Sequence, residues 1–150
     1  MISLRGVDGC PAGWLSVSVE LDGGGKPVPK LFPDAEALFR DGVAVTAIDI
    51  PIGLSAVRSR SCDTEARRLL GVRKSSVFPA PVRATLAADS YQSACIASAT
   101  ACGKRLTKQS YALDALAALW TAQRIHAGIA ERVTTKEERD EYGLPMQMRA

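Results

Sequence analysis

The sequence predicts an α/β fold with its strands gathered early in the chain, and three observations carry the prediction. From Trp14 to Leu21 the residues Leu15, Val17, Val19 and Leu21 alternate with polar neighbours, the period-two signature of a half-buried strand. The run from Val43 to Leu54 is apolar on both faces, as a buried central strand requires. From Lys108 to Ala127 no turn residue intervenes before Gly128, so one helix of about 30 Å is expected there.

Taken in order, the chain opens with a strand ending in Gly6-Val7-Asp8, a tight turn over Gly9-Cys10-Pro11-Ala12-Gly13, and the alternating strand. Asp22-Gly23-Gly24-Gly25 is a hairpin loop, and Lys26 to Phe32 returns as a third strand whose Pro29 assigns it to an edge. Asp34 caps a short helix over Ala35 to Arg40, which Gly42 stops. After the buried strand, a helix starts at Ser61 or Asp63 and ends at Gly71. Pro79 and Pro81 make Ser75 to Pro81 a non-helical loop. Ser90 to Cys102 reads as an alanine-rich helix closed by Gly103, and Thr107 caps the long helix. Thr135 and Glu138 form a capping-box pattern, and Gly143 to Ala150 reads as a terminal strand or arm.

Composition narrows the classes. A chain of 150 residues with 47% hydrophobic content can build one core, so residues 1–150 are read as a single domain. No apolar run is long enough to cross a bilayer and the first twenty residues lack a signal-peptide pattern, so a cytoplasmic protein with no membrane partner is expected. Cys10, Cys62, Cys95 and Cys102 have no paired spacing, and His126 is the sole histidine, which argues against zinc and for free thiols. The net charge of +3 is modest, but Arg58, Arg60, Arg67, Arg68, Arg73, Lys74 and Arg83 face only Asp63 and Glu65 in their stretch. That is a candidate phosphate-facing stripe, to be weighed against an ordinary solvated helix face.

Three acids occupy positions suited to chemistry. Asp8 precedes a glycine-rich turn, where a carboxylate can be held toward a metal or phosphate, although Asp-Gly before a turn is also common for conformational reasons alone. Asp49 ends the buried strand, where an acid is costly unless compensated. Asp114 shares a helix face with Ala118, Thr121 and Ile125, beside packed surface. Leu116 and Trp120 read as core or interface residues rather than ligand-stacking groups.

The segments Gly6-Val7-Asp8-Gly9-Cys10-Pro11-Ala12-Gly13-Trp14, Ile48-Asp49-Ile50-Pro51-Ile52-Gly53-Leu54, Cys62-Asp63 with Ala66-Arg67, Ser75 to Arg83, Thr107-Lys108-Gln109, Asp114 to Ala122 and Gly143-Leu144-Pro145-Met146 together resemble one family. It is the predicted RNase H-like nuclease family, also called domain of unknown function 429. The resemblance implies an RNase H-like mixed sheet flanked by helices. It also implies that Asp8, Asp49 and Asp114 are catalytic and hold Mg²⁺ or Mn²⁺, while Arg60, Arg67, Arg73 and Arg83 bind substrate phosphates. Family members carry a His-Pro-Glu segment and a fifth strand between the Lys-Gln motif and the Asp-Ala-Leu helix. Here Tyr111-Ala112-Leu113 runs straight into Asp114, which implies an internal loss that removes the fifth strand and one family carboxylate.

Two function classes follow. One is a metal-dependent nuclease or phosphodiesterase with an incomplete acidic site. The other is a non-catalytic module on the same fold that binds nucleic acid or protein, with the sheet edge left by the missing strand favouring a homodimer or higher homo-oligomer. An actin-like or sugar-kinase-like nucleotide binder is disfavoured, because the chain is too short for two such lobes.

Overall fold

A computed structural model describes residues 2–77, 80–90, 92–94, 96 and 111–150, with the side chains of 111–113 excepted. The chain divides into two compact units, one formed by Met1–Ile50 and Lys108–Ala130, the other by Pro51–Thr107 and Glu131–Ala150. The fold is α/β, with a mixed four-stranded sheet and flanking helices in the first unit.

That sheet comprises β1 (Ser3–Cys10), β2 (Gly13–Glu20), β3 (Val28–Phe32) and β4 (Val45–Ile48), in the order β3-β2-β1-β4. The first two pairings are antiparallel and β4 runs parallel to β1. Gly13 closes the β1–β2 turn with φ 127°, and a Cβ there would lie 2.2 Å from the Phe32 carbonyl oxygen, so the turn needs glycine on two counts. β3 lies at an edge, as its proline predicts.

Alternation along β1 sorts the core into two layers. Leu4 packs with Val17 on one face, under Ala115, Leu119 and Ala122 of the long helix. Val7 packs with Phe32 and Leu38 on the other, where α1 (Ala35–Arg40) lies. The Asp34 carboxylate accepts the Ala37 N–H at 2.7 Å, which caps α1 as its sequence predicts. Arg5 also belongs to this layer, only 3% exposed. It donates to the Leu38 and Asp41 carbonyls at 2.9 Å each and pairs with the Asp41 carboxylate at 2.8 Å. A cation thus serves the carbonyl end of α1, where the helix dipole favours it.

The long helix, Tyr111–His126, crosses β1 at Gly6. A Cβ on Gly6 would stand 2.0 Å from the Leu119 amide nitrogen and 2.1 Å from the Ala115 carbonyl oxygen, so backbone rests on backbone. Its residues 108–110, also predicted helical, lie outside the described residues.

The second unit is organised by ion pairs more than by a large apolar layer. Its helix α2 (Ser61–Leu70) starts where the sequence predicts and ends at Gly71. The long helix, third in chain order among the described complete helices, is α3. Buried Arg60 forms a bidentate pair with Asp63 at 2.5 and 3.0 Å and also donates to the carbonyls of Ile52 and Gly53. Asp140 accepts the amides of Leu54, Tyr142 and Leu144 and pairs with Arg83. Glu138 accepts the Ser61 N–H at 3.1 Å, capping α2 from far along the chain.

Several expectations need correction. The Val43 to Leu54 strand is neither long nor central, since β4 spans four half-buried residues and pairs with β1 alone among the described residues. Pro51 lacks the N–H that a longer ladder would use. The Thr135 and Glu138 pattern starts no helix, because Glu138 is drawn to the α2 terminus instead. Residues 143–150 form only the isolated bridges Arg132 with Arg149 and Arg139 with Pro145. Ser75 and Ser76 end a 3-10 turn over Gly71–Ser76, since the prolines restrict only the residues directly before them. For Leu116 and Trp120, expected as core or interface residues, exposures of 41% and 56% exclude the core alone. The Ser90 to Cys102 helix lies mostly outside the described residues, of which 92–94 and 96 are helical.

Gly6→Ala is expected to destabilise the protein by roughly 3 kcal/mol or more in urea denaturation, because the methyl group meets backbone that cannot turn aside. Gly42→Ala, with nothing within 4 Å of the added Cβ, is the neutral comparison. Asp63→Ala strands the buried Arg60 guanidinium and is expected to cost about 3–5 kcal/mol in the same measurement.

Candidate acidic site

Parallel pairing brings two of the predicted acids together. Leu4, Arg5, Gly6 and Val7 of β1 register with Val45, Thr46, Ala47 and Ile48 of β4. The Asp49 N–H donates to the Val7 carbonyl at 2.8 Å, carrying the register one step further and setting Asp49 beside Asp8. Val45 and Ala47 pack with Leu4 in the α3 layer, so alternation assigns Asp8 and Asp49 to that same face.

The third acid comes from α3. Asp114 directly precedes Ala115, whose carbonyl lies against Gly6, and Gly6 stands two positions before Asp8 on the same face of β1. Asp114 is half-buried, and Ala118, its neighbour one turn on, is buried, as the predicted face requires. All three acids therefore belong to the first unit and to one layer of it.

Their electrostatics follow from this placement. Asp8 is 3% exposed, and its Oδ2 is buried without a hydrogen-bond partner. Burial, then the charge of Asp49, then that of Asp114 push its carboxyl up to about 6, with the Gly9 amide partly offsetting them. Asp49 is more exposed at the strand end, yet partial desolvation and Asp114 raise its carboxyl as well. Among the described residues, no group of three His, Cys, Asp or Glu side chains is close enough to hold a metal ion together. The arrangement is a pair in register with a third charge acting on both.

The four predicted phosphate-binding arginines belong to the second unit. Arg60 is 5% exposed and committed to Asp63. Arg67 donates to the Val77 carbonyl. Arg83 pairs with Asp140 and with Glu141 at 3.1 Å, and lies 4.4 Å from the Tyr142 ring centre. Arg73 is exposed in the 3-10 turn. Sequence reasoning missed the anchoring roles of Arg5, Glu138 and Asp140. Their partners lie 36, 77 and 86 residues away, respectively, and no local pattern encodes such separations.

Cys10 is half-buried and Cys62 buried, both as free thiols, while Cys95 and Cys102 lie outside the described residues. Burial pushes the Cys62 thiol up, which keeps it protonated and unreactive. No described helix is long and apolar enough to cross a membrane.

The raised Asp8 carboxyl makes a signed prediction. The folded protein binds the Asp8 proton more tightly than the unfolded chain, so the stability that Asp8 contributes is fully present below about pH 4 and is lost as pH rises through about 6. Asp8→Asn, which stays neutral, is expected to be more stable than wild type at neutral pH by on the order of 1 kcal/mol. The difference should vanish near pH 4, as read by thermal or urea unfolding across that range.

Comparison with known proteins places the chain. No curated protein and no solved structure matches it significantly. Residues 6–113 match the family described as "Protein of unknown function (DUF429)", a span that includes Asp8 and Asp49 and stops one residue before Asp114. With that match covering more than half of its length, the chain belongs to the DUF429 family.

Proposed function

We propose that the protein is a metal-dependent phosphodiesterase or nuclease of RNase H-like type, acting through Asp8, Asp49 and Asp114. The observation that carries this reading is the Asp8 carboxylate, whose Oδ2 is buried and unpartnered while two further acids raise its pKa. A structural carboxylate is normally satisfied by amides or a cation, as Asp140 and Asp63 are in the second unit. At Asp8 the Gly9 amide offsets burial only in part and Oδ2 has no partner, and perturbed acids of this kind cluster at functional sites.

The donor set fits Mg²⁺ or Mn²⁺, which are hard cations that take carboxylate oxygens. Mg²⁺ is commonly held by one or two carboxylates, with waters and substrate phosphates completing its shell, so a third ligand close by is not required. Asp8 and Asp49 would hold the ion, and Asp114 would add negative charge to the same layer. When bound, such an ion supplies Lewis-acid stabilisation of phosphoryl oxygen and acidifies bound water. The protein's own contribution is to give up the Asp8 proton, keep the two strand-end carboxylates in register and hold Asp114 against them through α3.

A second reading, a non-catalytic binding or assembly module, is favoured by exposed apolar groups on the first unit. Val28 and Leu31 on edge strand β3 are 62% and 51% exposed, and Trp120 stands out from α3. On that reading the partner is a protein or a second copy of the chain, and the acids are a remnant.

Calorimetric titration with Mn²⁺ separates the two. The enzyme reading expects binding at about pH 8, weakened at about pH 5 as Asp8 takes up its proton, and reduced at least about tenfold in Asp8→Asn. Absence of binding by folded wild type would overturn it. With binding established, Mn²⁺-dependent cleavage of oligonucleotides that is lost in Asp49→Asn completes the test.

A further inference from the structure

Of the four arginines the sequence marks for phosphate binding, three are engaged within the protein. Arg60 is held by Asp63 and two carbonyls, Arg67 by the Val77 carbonyl, and Arg83 by Asp140 and Glu141. Moving any of them to a ligand would unpair a buried partner or forfeit a bond. Arg68 is likewise matched by Glu65 at 2.6 Å. The charge left uncompensated lies in the 3-10 turn, where Arg73 and Lys74 are both exposed and have no acidic partner among the described residues.

The same turn and the end of α2 before it offer two further kinds of group. Ser75 and Ser76 follow the cations with exposed side chains, and short hydroxyls beside Arg and Lys are common phosphate contacts. Before the cations, Leu69, Leu70 and Val72 are 60%, 43% and 99% exposed, apolar surface that a purely phosphate-binding turn would not need. A ligand matching this stretch presents anionic groups and apolar faces side by side. Double-stranded nucleic acid keeps its base faces stacked inside, whereas a single strand exposes both backbone and bases.

We infer that residues 69–76 form a grip for single-stranded nucleic acid, with Arg73, Lys74, Ser75 and Ser76 on the phosphates and the neighbouring aliphatic side chains against the bases. The identity of the ligand rests on the phosphodiesterase reading. The grip itself belongs to the second unit and needs no metal.

The test is fluorescence anisotropy with a labelled single-stranded oligothymidylate, in EDTA and across a salt series. Wild type is expected to bind, with affinity falling as salt rises. Arg73→Ala/Lys74→Ala, and its polar uncharged counterpart Arg73→Gln/Lys74→Gln, are expected to weaken binding about tenfold or more and reduce the salt slope by roughly two. Val72→Ser should weaken oligothymidylate and leave inorganic polyphosphate, which has no bases, unchanged. No binding by wild type, no loss in the folded double variants, or equal affinity for a duplex of the same length would overturn the inference, as would a preference for anionic vesicles. The assay excludes metal, so it reads the grip apart from the acidic site. Oligothymidylate binding without any Mn²⁺ binding would therefore sink the enzyme reading and leave the grip standing.

Discussion

The first unit depends on the contact of α3 with β1 at Gly6. With no side chain between them, the Ala115 carbonyl and the Leu119 amide approach the strand more closely than any Cβ permits. That approach closes Leu4, Val17, Ala115, Leu119 and Ala122 into a layer and brings Asp114 to the end of β1 that carries Asp8. Packing and chemistry are set by one missing methyl group. A larger residue would lift the helix and open the layer that desolvates Asp8.

Desolvation that its partners offset only in part is what separates Asp8 from the other buried acids. Asp63 and Asp140 are equally removed from water, yet each is surrounded by donors, a guanidinium and backbone amides in both cases. Such partners satisfy both carboxylates and make these two acids structural. At Asp8 the surroundings act in the opposite direction, since burial and like charge both favour the proton. A fold that uses its carboxylates economically elsewhere keeps one at a cost here, which is the physical content of reading it as functional.

The second unit shows how little a residue's type says about its task. Seven basic residues between Arg58 and Arg83 read as one electropositive stripe. In the folded chain most of that charge is turned inward or neutralised. Arg60 ties the start of α2 to the carbonyls of Ile52 and Gly53, and Arg83 joins the C-terminal segment through Asp140 and Glu141. Arg58 and Lys136 share Glu138, whose carboxyl is held down to about 2 by Lys136 and the Ser61 amide. Of that stretch, Arg73 and Lys74 in the short turn face solvent with no acidic partner among the described residues.

By itself the sequence determined the local elements of the first unit: the alternation that makes β2, the proline that puts β3 at an edge, the Asp34 cap of α1, and the uninterrupted run behind α3. These are encoded by neighbours within a few residues, through periodicity, capping and turn chemistry. It also marked Asp8, Asp49 and Asp114, because an acid at a strand end or on a packed helix face is conspicuous in one dimension. Tertiary structure alone decided that β4 is short and pairs only with β1 among the described residues, and that Asp49 stands in register with Asp8. It likewise decided which arginines are engaged and that Glu138 caps a helix 77 residues earlier. Those outcomes are contests between partners distant in sequence, settled by burial and geometry that exist only once the chain has closed on itself.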